Sequence, residues 1–175
     1  MGDEIERRFL VDDVPSGTAV ESDERLEQGY LAIDGAAVVR VRRSERGWVL
    51  CIKGGSGLVR TEVERDLDVA EGEQLWELTL GRRIGKLRQR IRLDHGLVAE
   101  LDTFDIDLDG LQIVEVEFDS EAAAAAFVPP AWFGRELTDD PRWSNVALAT
   151  TGRPDTGTGS SSSASPVSEP SERPG

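Results

Sequence analysis

From Ile5 to Phe118 the chain repeatedly sets an apolar residue at every second position and an ionisable one between. A period of two marks strands whose two faces meet different surroundings. It predicts eight strands, near residues 3–11, 26–33, 37–44, 47–53, 59–68, 84–94, 97–105 and 111–119. Gly35, Gly47, the run Gly54-Gly55-Ser56-Gly57, His95-Gly96 and Gly110 fall between them, where the chain must turn. The short links read as antiparallel hairpins. Helical patterning interrupts the strands three times. The first helix is expected near 70–81, carrying Leu75, Trp76, Leu78 and Leu80. The second opens at Ser120 and runs through the alanines to Phe127. The third spans 141–149, with Asp140 as N-cap and Pro141 in the first helical position.

Sorting the strands by parity separates two chemistries. One face collects Ile5, Phe9, Val11, Val39, Val41, Ile52, Val63, Leu67, Leu87, Ile91, Leu93, Leu97, Leu101, Val114, Val116 and Phe118, which calls for burial. The other collects Glu4, Glu6, Arg8, Gln28, Tyr30, Arg40, Arg42, Lys53, Arg60, Glu62, Glu64, Lys86, Arg88, Arg90, Glu100, Asp102, Glu115 and Glu117. A merely wetted face would mix in Ser, Thr and Gln. Here nearly every position is charged, with acids on the first, fifth, seventh and eighth strands and bases on the third, fourth and sixth. Carboxylates two apart on one strand repel, so the Glu-x-Glu and Glu-x-Asp pairs call for a compensating divalent cation. Hard oxygen ligands select Mg²⁺ or Mn²⁺. Eight antiparallel strands are enough to close a barrel. The expected fold is therefore mainly β (α+β): an eight-stranded antiparallel closed β-barrel, a tunnel with its charged face inward, acidic and basic walls opposed, and a few helices covering the apolar outside.

Composition narrows the chemistry. The 175 residues suit one domain, and 34 acidic against 20 basic residues give a net charge of −14. That balance argues against nucleic-acid and anionic-membrane partners. From Gly152 the chain turns Gly-, Ser- and Pro-rich, so residues 152–175 read as a disordered tail behind a domain of residues 1–151. The tail holds three acids and two bases, which leaves −13 on the domain. A single His and a single Cys exclude a disulfide framework, a Cys/His zinc site and a Cys-His nucleophilic pair. No stretch approaches the roughly 18 apolar residues of a membrane span, and the acidic start lacks a signal's basic region, so the expected location is cytoplasmic. Of the 20 bases only Lys53 and Lys86 are lysines.

The opening Glu4-Ile5-Glu6-Arg7-Arg8-Phe9 resembles the Glu-x-Glu-x-Lys signature of the CYTH superfamily, the triphosphate tunnel metalloenzymes. The likeness continues through Gln28-Gly29-Tyr30, Arg40-Val41-Arg42, Ile52-Lys53, Glu62-x-Glu64, Lys86-x-Arg88, Glu100-Leu101-Asp102, Glu115-Val116-Glu117 and the stretch from Trp132 to Asn145. It implies an eight-stranded tunnel for a small-molecule, triphosphate-bearing substrate with Mg²⁺ or Mn²⁺. At this length it most resembles the inorganic triphosphatases, which hydrolyse a phosphoric anhydride. By motif position, Glu4, Glu6, Glu115 and Glu117 are the implied principal metal ligands, completed by Glu62, Glu64, Glu100 and Asp102. Arg8, Arg40, Arg42, Lys53, Lys86 and Arg88 are implied to hold the phosphate chain, with Lys53, Arg8 and Tyr30 as the catalytic residues. Position 8 departs from the signature: a guanidinium is planar, bulkier and permanently charged where the family has lysine.

Other motifs carry less. Lys53-Gly54-Gly55-Ser56-Gly57 reverses the order of a phosphate loop and reads as a hairpin turn. His95 reads as a solvated turn residue, Cys51 as a small wall residue, and Trp132 and Trp143 as anchors for the C-terminal segment. Thiamine- or nucleoside-triphosphate hydrolysis, class IV-type adenylyl cyclase activity and non-catalytic polyphosphate binding are the alternatives. Oligomeric state, a homodimer included, is open.

Overall fold

The computed structural model describes residues 5–35, 37–54 and 61–155. Glu4, Arg60, the turn after Gly54 and residues 156–175 of the expected tail lie outside the described residues. Among those described, eight strands form one antiparallel sheet: β1 (Ile5–Val11), β2 (Val20–Asp34), β3 (Ala37–Ser44), β4 (Gly47–Gly54), β5 (Thr61–Leu67), β6 (Arg83–Arg92), β7 (Val98–Phe104) and β8 (Gln112–Phe118). Three short helices follow the expected places: α1 (Val69–Glu77), α2 (Glu121–Ala126) and α3 (Asn145–Thr151). No helix among the described residues is long and apolar enough to cross a membrane.

The strand order is β1-β8-β7-β6-β2-β3-β4-β5. Residues directly opposite in an antiparallel pair share a face, and the register strings the charged positions into continuous rows. Arg8 lies opposite Glu115, Glu115 opposite Glu100, and Glu100 opposite Arg90. On the other half, Tyr30 lies opposite Arg40, Arg40 opposite Cys51, and Cys51 opposite Glu64. Lys53 sits opposite Glu62, so β4 does turn its odd-numbered residues to the charged face.

The barrel is not closed. β1 and β5 are the two ends of the sheet and are not paired with each other. Part of the reason lies in the outer edge of β1, whose hydrogen-bonding groups are already taken. Leu137 N donates to Arg8 O, Gly134 N to Leu10 O and Leu10 N to Arg135 O, while Arg8 N donates to Thr138 Oγ1. Segment 134–138 thus stands where a closing strand would pair. Arg7 clamps it, placing Nε and Nη2 on the two oxygens of Glu136 at 2.8 and 2.7 Å and donating Nη1 to the carbonyls of Ala124 and Phe127.

Two apolar clusters hold the sheet in shape. Phe9, Leu101, Val114 and Val116 pack on the outer face under α2, with Phe133. Ile84, Phe104 and Ile113 pack with Leu137, Trp143 and Leu148, and because Ile84 lies opposite Gln28 and Phe104 opposite Lys86, this cluster fills the charged face's own side at one end. α3 is therefore not an outer cover. Its start is also shifted: Asp140 caps only the 3₁₀ turn Pro141–Trp143, and Ser144, extended at φ −66° and ψ 150°, caps α3 by accepting from Ala147 N. Trp143, 1% exposed, anchors this segment as expected. α1 carries a capping box between Asp68 and Glu71 and sets Trp76 edge-on to Trp48, centroids 5.8 Å apart. Coverage of the apolar outside stops there: Val39, Ile52 and Val63 lie directly opposite one another, and Ile52 and Val63 are 41% and 53% exposed.

Candidate active site

All eight strands contribute to one cavity of about 890 Å³. Its cations are Arg8, Arg40, Arg42, Lys53, Lys86, Arg88 and Arg90, and its carboxylates are Glu6, Glu62, Glu64, Glu100, Glu115, Glu117 and Asp119. Ser144, Asn145 and Val146 line it from the start of α3.

The charges do not stand as opposed walls. Acidic β1, β8 and β7 adjoin one another, as do basic β3 and β4, but at β7–β6 and β4–β5, and at Arg8 on β1, acids and bases meet across strands in small groups. On β3–β5, Lys53 Nζ lies 3.1 Å and Arg40 Nη2 3.5 Å from the two oxygens of Glu62, and Arg42 Nη2 lies 3.2 Å from Glu64. Cys51 donates its thiol to Glu62 at 2.8 Å; burial pushes that thiol up to about 11, and nearby Glu62 adds to the shift against the pull of Arg40. It is a protonated wall residue, and reactive-thiol chemistry has no support here.

The Tyr30 hydroxyl, Arg40 Nε and Gln28 Oε1 are buried and have no hydrogen-bond partner among the described residues. Burial pushes Tyr30 up to about 12 against the opposing field of Arg40, so its hydroxyl keeps the proton and can donate. Three polar atoms left unmatched on residues lining one cavity are available to water or to a polar ligand.

On β1 and β6–β8 the network is denser. Arg8 donates Nε to Glu115 at 2.7 Å and Nη2 to Glu6 at 2.8 Å. Arg88 bridges Asp102, at 2.7 Å to each oxygen, and reaches Glu115 at 3.1 Å; it also pairs with Glu100. Asp102, 1% exposed, additionally bonds the Lys86 ammonium, which is fully buried. Burial and the neighbouring Arg88 lower the Lys86 pKa, against the pull of Asp102.

No family model matches the chain. A curated inorganic triphosphatase of Nitrosomonas europaea is 44% identical over 147 residues, 83% of this chain and 96% of that protein. Another, of Acetivibrio thermocellus, is 37% identical over 153 residues, 85% of this chain and 94% of its own length. The chain belongs to the inorganic triphosphatase family. A crystal structure of an inorganic triphosphatase superposes with a TM-score of 0.68 at 42% identity, covering 86% of this chain and 97% of the other. A Hippeastrum protein described as a putative adenylyl cyclase with dominant triphosphatase activity shares the fold at 16% identity, with a TM-score of 0.51 over 70% of this chain and 82% of its own.

The structure brings Arg8, Tyr30, Arg40, Arg42, Lys53, Lys86 and Arg88 to the cavity, together with Glu6, Glu62, Glu64, Glu100, Glu115 and Glu117. Glu4 lies outside the described residues. Asp102 does not line the cavity: it sits in the wall behind Lys86 and Arg88 and spends both oxygens on them. Sequence reasoning missed Arg7, Glu136 and Thr138, which hold β1, because their partners are some 130 positions apart in the chain. It also gave no role to Asn145, on a helix start with no charge to mark it.

The carboxylates suit a hard cation. Glu6 lies opposite Glu117, and Glu100 opposite Glu115, two like-charged cross-strand pairs that a divalent ion would relieve. Among the described residues, the ligand atoms that converge within 4.8 Å belong instead to Cys51, Glu62 and Glu64, where a thiol occupies one place.

Glu115 carries a pH prediction. Burial alone would raise its pKa, but Arg8 and Arg88, with Lys86 behind them, hold the carboxyl far below the ordinary range. A depressed folded value means its contribution to stability is complete above the unfolded pKa, about 4.3, and is lost as pH falls toward the folded value. The urea midpoint should therefore fall below about pH 4, and Glu115→Gln should flatten that acid limb; an unchanged limb would move the acid sensitivity to other carboxylates.

Proposed function

We propose that the chain hydrolyses inorganic triphosphate in this cavity, with Mg²⁺ or Mn²⁺ as cofactor. The observation that carries the reading is the cavity itself, where unmatched donors of Tyr30 and Arg40 stand beside the cations of β3, β4 and β6. Kinship with inorganic triphosphatases at 44% and 37% identity supports it.

Arg40, Arg42, Lys53 and Arg90 would hold phosphoryl oxygens, the arginines by two-pronged donation and Lys53 as a compact charge. Tyr30, protonated at any physiological pH, would donate to an oxygen on the buried side. Lys86 adds positive charge from behind, fixed by Asp102. Glu6, Glu115, Glu117 and Glu100 would hold the cation; Glu62 and Glu64, in their ion pairs with Lys53, Arg40 and Arg42, would keep those donors oriented. A divalent ion bound there would neutralise phosphate charge and activate water. Phosphoryl transfer then asks little more of the protein than position and electrostatic complementarity.

Release of phosphate from tripolyphosphate, ATP and thiamine triphosphate, with Mg²⁺ or Mn²⁺ and with EDTA, tests this. Tripolyphosphate should be the fastest substrate and EDTA should abolish turnover. Tight tripolyphosphate binding without phosphate release would replace the hydrolase with a binding protein, and preference for ATP would point to a nucleotide substrate.

A further inference from the structure

We propose that Arg8 is a placeholder for the divalent cation, so that cation and triphosphate bind cooperatively in this chain. The inference rests on the metal-dependent reading above.

Arg8 joins carboxylates from β1 and β8: Nε on Glu115 at 2.7 Å and Nη2 on Glu6 at 2.8 Å, with only 14% of the side chain exposed. The second oxygen of Glu115 is taken by Arg88 at 3.1 Å. Both oxygens of this carboxylate are therefore spent on arginine, and Glu6 on β1 is drawn into the same cluster through Arg8. A divalent ion that needs these oxygens must displace a permanent positive charge or bind beside it, and either is unfavourable in a half-desolvated site.

A triphosphate changes that balance. Its oxygens match the guanidinium fork better than two separate carboxylates do, because one phosphoryl group presents two acceptors at the right spacing. When Arg8 turns to phosphate, its hold on Glu6 and on Oε1 of Glu115 passes to the cation. Conversely, a cation on those carboxylates expels Arg8 toward the anion. Each ligand removes the other's obstacle, and by linkage the gain is the same in both directions.

The residue type matters. A lysine, which the signature has at this position, is a point charge that meets one carboxylate well and has no planar fork to span both. The arginine of this chain should therefore weaken metal binding in the absence of substrate and strengthen the coupling when substrate arrives.

The measurement is Mn²⁺ binding, with free ion counted by EPR, to the full chain, with and without a bis-methylene triphosphate that resists hydrolysis; a protein-free titration corrects for chelation. The wild type should bind Mn²⁺ about tenfold more tightly with the analogue than without. Arg8→Lys should tighten the analogue-free affinity by about tenfold and shrink the coupling to about threefold or less. Arg8→Gln, which removes the charge, should show the same ordering if Arg8→Lys folds poorly. Unchanged or weaker analogue-free binding in both variants would overturn the placeholder role and leave the hydrolase reading intact. A wild type that takes no Mn²⁺ even with the analogue would overturn both.

Discussion

Replacing Arg40 with alanine should lower kcat/KM for tripolyphosphate by about 10²–10³-fold, the loss associated with one preorganised donor to a charged transition state. Arg40 is 9% exposed, its Nε has no partner among the described residues, and its ion pair to Glu62 is long at 3.5 Å. Arg40 thus keeps its Nε donor unspent while its other end is held by Glu62. Arg40→Lys should recover only part of the activity, since it restores the charge and not the fork. Steady-state kinetics on both variants, with circular dichroism to confirm the fold, checks this. Activity within about threefold of wild type in Arg40→Ala would place β3 outside the substrate contacts.

The largest expected change in stability comes from Asp102. Asp102→Ala leaves the Lys86 ammonium buried without its anion and strips Arg88 of its two-oxygen partner. Breaking a buried pair from one side costs about 3–5 kcal/mol, which urea unfolding would read as a large drop in midpoint at constant slope. Removing both charges together, as Lys86→Met with Asp102→Leu, should restore much of that stability while abolishing turnover, because Phe104 already packs beside the Lys86 ammonium at 5.6 Å from its ring centroid. A loss under about 1 kcal/mol in Asp102→Ala would mean that Lys86 sheds its proton or finds water in place of the carboxylate.

How much of this could be read in advance varied with the physics at each position. β3, β4, β7 and β8 lie within a residue or so of their expected spans, because both faces of each strand meet contrasting surroundings. The first half of β2 was hidden. Val20 to Arg25 is charged on both sides, and its support comes from partners far along the chain, Glu21 with Arg92 and Glu24 opposite Arg88. Among the described residues, the charged face was legible residue by residue, even where β4 shifts phase at Lys53. Its internal pairing was less so: alternation says which side a residue takes, not which neighbour it meets. Closure was the largest difference. Eight strands can close, but whether they do depends on the free edge of β1, and nothing in the pattern of Gly134 to Thr138 announces that this stretch will occupy it.

That occupied edge has a mechanical consequence. A cylinder sealed by hydrogen bonds around its whole circumference can change its bore only by rupturing some of them, whereas a sheet with two margins can widen or tighten by flexing, every ladder intact. β5, the loose margin, carries Glu62, Glu64, Arg65 and Asp66 in succession with Val63, a charge density that discourages another strand from docking there. A chamber so built would work as a spring clip, stiff along its strands and compliant across its gap, with its bore set by curvature instead of by a seam.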